Sequence, residues 1–307
     1  KSNVLGKPMK EPQNVPFEKE GQYLKSDNRS NISYFLEHNV LLRRFTLSVG
    51  VLANYNSALN EGIHFYPGID ASFRIGDNVR LYGSWNRALR MPTFTDLYYE
   101  GKTNKGNPDL KPEESEAFEV GLKYNTYFLR AHIAGFYRKG KNMIDWVKEK
   151  PEDIWESQNL TKVDNLGFET NLSLLPRELG NERFFIRKIE LGYAFIHQDK
   201  DSEGYISNYA LDYLKHKFTA QLSHSIWKGF SATWYVRWQD RAGSYTKYEN
   251  LKPAYEEPYA PYCLVDMKVN WEYQRLNLYA ELNNLLNSTY YDLGNIPQPG
   301  IWFKAGF

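Results

Sequence analysis

The sequence has little of what most catalytic and metal-binding proteins need. Its single cysteine, Cys263, cannot form a disulfide within the chain or complete a cysteine-pair zinc site. No two of its six histidines have the spacing that places two metal ligands on one face of a strand or helix. His224 and Ser225 are adjacent and would point to opposite faces of a strand, so they cannot act as base and nucleophile. We therefore predict no enzyme active site, no metal site and no cofactor.

Two further absences limit the class of protein. The chain has 38 basic and 37 acidic residues and a formal net charge of +1, so no binding of nucleic acid is predicted. No apolar run approaches the roughly 18 residues of a membrane-spanning helix. The second absence does not exclude a membrane barrel, because the strands of a barrel alternate and give no long apolar run.

What the chain does have is aromatic residues, with 24 Tyr, 17 Phe and 8 Trp, and many segments that alternate apolar and polar side chains. The clearest segments are residues 231–241, 263–273 and 276–283. In the first of these, Trp234, Val236 and Trp238 would share one face. A period of two residues is typical of β-strands. We predict an all-β protein with about 13 strands.

The predicted connections are of two lengths. Short ones fall at residues 42–43, 76–78, 125–126, 227–229 and 274–275. Long ones fall at residues 56–64, 91–114, 149–164, 198–213, 242–261 and 284–300, and residues 1–25 are also predicted to be a loop. Short turns at one end and long loops at the other are typical of an antiparallel transmembrane barrel. Tyr and Trp residues near the short turns, such as Tyr127 and Trp227, fit an interfacial girdle.

A soluble β-sandwich or propeller explains the alternation equally well, with the apolar face as its core. Such a protein would be a carbohydrate-binding module that stacks its Tyr and Trp rings on sugars. It explains the order of short and long connections less well. A requirement for detergent would separate a barrel from such a module.

Residues 87–122 carry the most specific pattern: RALRMPTFTDLYYEGKTNKGNPDLKPEESEAFEVGL. Alternating strands are predicted on both sides of a polar loop, in which Pro92 restricts the backbone and residues 106–109 have strong turn chemistry. The defining positions are Arg90, Pro92, Leu97, Tyr98, Gly106, Asn107, Pro108, Leu110, Pro112, Glu113, Ser115, Glu119 and Gly121. The glycine and proline positions are expected to serve loop geometry.

This ordered set resembles the TonB-dependent outer-membrane receptors, and residues 277–307 resemble the last two strands of that family. The resemblance implies a 22-stranded barrel whose lumen is plugged by an N-terminal domain. Residues 1–307 would then be the C-terminal part of the barrel, with the plug and the early strands absent. Since no signal peptide is visible at Lys1, the chain is expected to be a fragment or a processed form.

The function implied by the resemblance is the import of a scarce metal chelate across the outer membrane of a Gram-negative bacterium, energised by TonB. Pro112 stands where glycan-importing members of the family usually have Trp, so cobalamin or a ferric siderophore is favoured and a glycan is the alternative. The implied partners are TonB through the missing plug, the chelate, outer-membrane lipid and the barrel-assembly machinery, for which Phe307 resembles the terminal signal. The resemblance also allows a surface-exposed lipoprotein as a partner.

Ligand contact is predicted for exposed side chains of the same loop, because binding residues concentrate on loops. These candidates are Tyr98, Tyr99, Lys102 and Lys105. Charged residues of the polar strand faces are expected to line the lumen, where most would hold a structural network: Arg80, Lys123, Arg130, Glu169, Arg237, Lys268, Glu281 and Lys304.

Overall fold

The computed structural model describes residues 2–17, 21–59, 62–150, 152–180, 183–201, 204–207, 213–249, 252–294 and 296–307. The strands are β1 Lys7–Asn14, β2 Gln22–Ser26, β3 Asn31–Leu41, β4 Phe45–Asn56, β5 Ile63–Arg74, β6 Val79–Arg90, β7 Asn104–Lys105, β8 Glu113–Asn125, β9 Leu129–Lys148, β10 Trp155–Leu174, β11 Ile186–Asp201, β12 Ile206–Ser207, β13 Leu214–Trp227, β14 Phe230–Arg241, β15 Ser244–Glu249, β16 Lys252–Pro258, β17 Tyr262–Tyr273, β18 Leu276–Asn283, β19 Tyr291–Leu293, β20 Ile296–Pro297 and β21 Trp302–Gly306. The helices are α1 Phe94–Tyr98 and a 3₁₀ helix Pro176–Leu179. No helix in the described part of the chain is long and apolar enough to cross a membrane.

One sheet of 15 strands dominates the structure. Its path runs β3-β4-β5-β6-β8-β9-β10-β11-β13-β14-β17-β18-β21, and each strand on this path is antiparallel to the next. The path contains 13 strands, so the predicted number and the all-β antiparallel class are confirmed. The short strands β7 and β12 pair with β10 and β9 outside the path.

The two faces of the sheet differ as the alternation predicts. On one face the apolar side chains are open to the surroundings, with exposed fractions of 59% for Val120, 55% for Leu166 and 61% for Phe303. The one buried apolar cluster among the described residues is small and consists of Val147, Leu160 and Val163. The apolar face is therefore an outer surface rather than the lining of a core, which is the arrangement that a lipid environment stabilises.

The opposite face is polar and concave. It borders a cavity of about 710 Å³ whose lining includes Arg130, Glu190 and Arg237. Tyr82 Oη on this face donates to Glu119 Oε1 at 2.7 Å and lies 2.7 Å from His132 Nε2. These contacts connect side chains on β6, β8 and β9, so they hold neighbouring strands in register.

Aromatic rings cover glycines on the concave face. A Cβ atom on Gly121 would come within 2.5 Å of the Tyr82 ring, which faces it across the β6–β8 pair. Phe136 stands over Gly167 in the same way, where a Cβ atom would again lie 2.5 Å from the ring. A ring over a glycine replaces the contact that the missing side chain would have made and supports the local pairing.

The connections follow the predicted order with four corrections. The predicted loop 242–261 is mostly strand, because β15 and β16 form a hairpin there. Residues 1–25 are not a simple loop, because β1 and most of β2 form a hairpin there. Residues 149–164 are mostly strand, because β9 and β10 are each 20 residues long and leave only residues 149–154 as a connection between them. The turn between β10 and β11 contains the 3₁₀ helix, which the sequence did not indicate. Parts of the predicted loop 198–213 lie outside the described residues.

Aromatic residues gather at the short-turn end. Tyr127 and Phe128 meet edge to face with ring centroids 5.2 Å apart. Trp271 stacks on Tyr273 at 5.8 Å, and Trp227 is exposed beside its turn. Amphipathic rings at this level suit a membrane interface.

The sheet is open, as expected from the sequence. Among the described residues, β3 pairs only with β4, and β21 pairs only with β18. The strand that precedes Phe307 therefore makes no ladder with the strand that contains Tyr34. Two rows of backbone N–H and C=O groups are left for further strands.

We expect Val236→Arg to destabilise the folded barrel by about 2–4 kcal/mol in lipid, because Val236 lies at the middle of β14 on the apolar face. The measurement is the folded fraction of the full-length protein in vesicles against urea concentration. Tyr235→Arg is the matched control and should be nearly neutral, because Tyr235 alternates with Val236 and is in register with the polar residues Gln221 and Asp266. Equal effects of the two substitutions would show that the faces are wrongly assigned.

Candidate functional site at the long-loop end of the sheet

An ion pair between an exposed arginine and a buried glutamate closes the β6–β8 hairpin at the long-loop end. Arg90 and Glu113 are the last register pair of the two strands, and Arg90 donates two hydrogen bonds to the Glu113 carboxylate. Glu113 is only 7% exposed and also accepts from the backbone N–H of Ile144 on β9 at 2.7 Å. A buried carboxylate with three donors is well satisfied, so this pair fixes where the loop leaves the sheet.

The loop then forms helix α1, which begins with a capping box. Thr93 Oγ1 accepts from the N–H of Asp96 at 3.1 Å, and Asp96 Oδ2 accepts from the N–H of Thr93 at 2.9 Å. The preceding Pro92 has no N–H to satisfy, which suits the entry to a helix. Asp96 also lies 4.0 Å from Arg90, so the cap is connected to the ion pair.

The chain returns beneath the helix at Gly106. A Cβ atom there would lie 2.8 Å from the backbone of Leu97 and Tyr98, so only glycine allows this approach. The N–H of Asn107 donates to the carbonyl of Asp96 at 2.8 Å, and Asn107 Oδ1 accepts from the N–H of Asp109 at 3.0 Å. The Gly-Asn-Pro-Asp sequence of residues 106–109 is therefore explained by the backbone geometry that the loop requires.

The end of the loop is attached to the extended β9–β10 hairpin. Asn159 accepts from the N–H of Lys111 at 2.8 Å and donates to its carbonyl at 2.9 Å. Leu110 is buried beside this contact, and β7 pairs with the start of β10. The loop is therefore held on one side by strands that the sequence analysis had assigned to a connection.

On its other side the loop is attached to the N-terminal segment. Tyr98 Oη donates to Asp27 Oδ2 at 2.6 Å, and burial together with this bond raises the pKa of Tyr98 to about 12. Arg29 donates to the carbonyl of Pro92 at 2.7 Å and lies over the Phe94 ring at 5.1 Å. The loop of residues 91–112 is thus held on one side by Asp27 and Arg29 and on the other side by Asn159. We call this loop the rigid platform.

The four predicted ligand contacts fall into two groups. In the first group is Tyr98, whose hydroxyl already donates a hydrogen bond to Asp27. Tyr99 is 37% exposed, with its ring edge-on to Trp146, and Lys102 and Lys105 are exposed on the same turn. That turn is closed by a bridge between Glu100 and Lys105. The structure therefore exposes Tyr99, Lys102 and Lys105 on one turn and leaves Tyr98 half-buried against Asp27.

The sequence analysis missed a second cluster, made of tyrosines from two other long loops. Tyr245 packs against Tyr259 at 5.1 Å and stacks on Tyr291 at 5.2 Å. Tyr262 donates to Asp292, and Tyr259 accepts from the N–H of Gly294 at 3.0 Å. The sequence feature that could have indicated this cluster is the high number of tyrosines in residues 244–262 and 290–291. Only the fold shows that the two segments are in contact.

Nothing in the described part of the chain has the geometry of a metal centre, since no three His, Cys, Asp or Glu side chains are grouped to hold an ion. The side chains that the loop platform presents are aromatic rings and ammonium groups. They are suited to bind an anionic or aromatic molecule.

An antiparallel sheet with an apolar outer face, a polar concave face and long loops at one end is the wall of an outer-membrane β-barrel. Residues 8–285 match the family described as TonB dependent receptor-like, beta-barrel, and the chain belongs to this family. The resemblance seen in residues 87–122 is thereby confirmed, as are the fold class and the Gram-negative outer-membrane location.

Individual relatives share modest identity with the chain. The vitamin B12 transporter BtuB of Vibrio vulnificus is 25% identical over 57% of this chain and 30% of its own length. An iron-regulated outer membrane virulence protein of Vibrio cholerae is 26% identical over 65% of this chain and 33% of its own length. The solved ferric enterobactin receptor PfeA of Pseudomonas aeruginosa superposes with a TM-score of 0.71 at 19% identity, covering 98% of this chain and 47% of the receptor. The chain spans about a third of the length of these curated relatives and about half of that receptor.

Glu113→Ala should loosen the loop, because it leaves Arg90 and the N–H of Ile144 without their acceptor, at a cost of about 1–3 kcal/mol. We expect limited proteolysis of an intact receptor within residues 91–112 to become roughly tenfold faster or more. Glu116→Ala is the control, since it breaks only the exposed contact with Arg87 and should cost at most about 1 kcal/mol. Similar cleavage rates for both variants would contradict the structural role of Glu113.

Proposed function

We propose that this chain forms part of the wall and the outer loops of a receptor that binds a metal chelate and imports it across the outer membrane. The chelate is cobalamin or a ferric siderophore, and TonB supplies the energy through a plug domain. The observation that carries the proposal is the rigid platform of residues 91–112, which holds Tyr99, Lys102 and Lys105 in one exposed group.

The chemistry of this group supports a chelate as the ligand. Ammonium groups attract the negative charge that many ferric chelates carry, and an exposed aromatic ring offers a flat apolar contact. The ammonium of Lys105 lies 3.9 Å from Glu156, and both side chains are substantially exposed, so this ion pair is weak and Lys105 remains accessible to a ligand. Relatives named for vitamin B12 and for ferric enterobactin agree with this ligand class.

The same proposal accounts for the open sheet. We propose that residues 1–307 are the C-terminal part of a larger barrel, and that the remaining strands and the plug belong to the rest of the receptor. The free edges of β3 and β21 support this, because a barrel in lipid needs every strand paired on both sides. Phe307, fully exposed beyond β21, would be the terminal signal for the barrel-assembly machinery. No step in this function breaks a covalent bond, so the protein would not be an enzyme.

Deletion of residues 100–105 from an intact receptor should abolish binding of the chelate while the barrel still assembles. The probes are ferric enterobactin and cyanocobalamin, and assembly is read from heat-dependent migration on a gel. The milder variant Tyr99→Ala with Lys102→Ala and Lys105→Ala should weaken binding at least tenfold, whereas Lys247→Ala in the β15–β16 hairpin should not. Unchanged affinity after the deletion would place the binding site elsewhere.

Growth of a deletion strain identifies the class of ligand. We expect a defect on limiting iron or limiting cobalamin, and normal growth on single glycans. A defect confined to one glycan would contradict the chelate and favour a glycan importer of the same family.

A further inference from the structure

A cavity of about 170 Å³ lies where β5 and β6 separate near the long-loop end. The last register pair of the two strands is Gly68 with Asn86, although β5 continues to Ile63 and β6 to Arg90. Side chains of β8 and β9 complete the lining. The cavity shares no residue with the rigid platform, so it is separate from the group that we propose to bind a chelate.

Two polar atoms at this cavity are buried without a hydrogen-bond partner. They are Nε2 of His64 and Oη of Tyr66, and both residues line the cavity. A polar atom that is buried and unpaired is unfavourable, whereas nearly all such atoms in native proteins are satisfied. The two atoms therefore indicate a bound group that forms hydrogen bonds in the cavity.

The cavity also contains charges that are poorly paired. Lys139 and Lys141 are in register with Glu116 and Glu114. No carboxylate oxygen in the described part of the chain lies within 4.0 Å of either ammonium group. Glu114 lies 3.9 Å from Arg87, and both side chains are substantially exposed, so this contact is weak. Charges of both signs are thus available to a ligand.

The outer face changes from aromatic to charged at the level of the cavity. One register row across β6, β8 and β9 consists of Trp85, Phe118 and Tyr137. The next row towards the long loops on the same face consists of Arg87, Glu116 and Lys139. Phe118 points in the same direction as Val120, which is exposed on the apolar face. Aromatic rings mark a membrane interface, so the cavity lies at the level of lipid headgroups.

The chemistry of the lining suits a small zwitterion. The cavity is smaller than the about 300–1,000 Å³ of pockets that hold drug-sized molecules, so it suits a headgroup. The lysines and the hydroxyl of Tyr66 can donate to a phosphate, and Glu114 can accept from an ammonium group. A purely anionic group would be repelled by Glu114, and a purely cationic group would be repelled by the lysines.

Phe65 connects the cavity with the apolar outer face. Its ring contributes to the lining and is 62% exposed. Towards the short-turn end the outer face continues with the exposed side chains of Phe118 and Val120. A molecule whose headgroup occupies the cavity can therefore place an apolar chain on this face, which favours a lipid over a free zwitterion.

We infer that the cavity binds the phosphoethanolamine headgroup of a membrane lipid. The phosphate lies against Lys139, Lys141 and Tyr66, and the ammonium group lies against Glu114. The inference goes beyond the proposed function, because it concerns the lipid side of the sheet and not the import of a chelate.

Native mass spectrometry of the full-length protein in detergent tests the inference. The probes are phosphatidylethanolamine and phosphatidylglycerol with the same acyl chains. We expect phosphatidylethanolamine to bind about tenfold more tightly, because only its headgroup carries the ammonium that Glu114 accepts. Free O-phosphoethanolamine should compete weakly with the lipid, and inorganic phosphate at the same concentration should not compete.

Variants of exposed side chains identify the two halves of the site. Lys139→Ala with Lys141→Ala should lower the affinity for phosphatidylethanolamine about tenfold or more, because the phosphate loses two charged donors. Lys162→Ala is the matched control, since Lys162 is in register with Lys141 but already lies 2.9 Å from Asp199. Glu114→Gln should remove the preference for phosphatidylethanolamine over phosphatidylglycerol.

Tyr66→Phe separates ligand binding from a purely structural role of the tyrosine. If the hydroxyl were only a buried unpaired group, its removal would leave lipid affinity unchanged and would not destabilise the fold. We expect instead a loss of affinity of about fivefold or more with unchanged folding. Heat-dependent migration on a gel confirms that each variant is folded.

Three results would overturn the inference. One is an unchanged affinity for phosphatidylethanolamine in the folded Lys139→Ala, Lys141→Ala variant. Another is equal affinity of the unaltered protein for the two lipids. The third is competition by inorganic phosphate as strong as that by O-phosphoethanolamine, which would reduce the site to an anion site without a role for Glu114.

Discussion

Backbone hydrogen bonding across the sheet is the constraint on which the rest of the structure depends. A strand in lipid has no water to satisfy its N–H and C=O groups, so each strand needs a partner on both sides. Every strand of the path from β4 to β18 has two antiparallel neighbours. Because the ladder satisfies the backbone, the side chains can divide strictly between an apolar outer face and a polar concave face.

Packing in this protein is consequently the reverse of packing in a soluble domain. The largest apolar side chains are on the outside, and the buried apolar cluster around Val147 is confined to the outer ends of β9 and β10. Cohesion within the sheet comes from contacts between neighbouring strands, such as the Tyr82 ring over Gly121 and the Tyr82 bond to Glu119. The concave face is therefore the structural interior of the sheet.

Rigidity at the long-loop end comes from side chains that tie separate loops together. Glu113 joins β8 to β6 and β9, Asn159 joins β10 to the loop, and Tyr98 joins the loop to the N-terminal segment. Positioning the backbone of a surface group in advance lowers the entropy cost of binding a ligand. Several residues of the family pattern build this support, while Tyr99 and the nearby lysines remain on the surface.

The sequence by itself determined the strands, the two faces and the family, because side-chain direction along a strand is a local property of the backbone. It also located the loop of residues 87–122, whose turn residues act on their immediate neighbours. Only the tertiary structure decided that β10 already begins at Trp155, that residues 1–25 contain a hairpin, and that Tyr245 meets Tyr291. These features depend on register and on contacts between residues far apart in the chain, which no local pattern records.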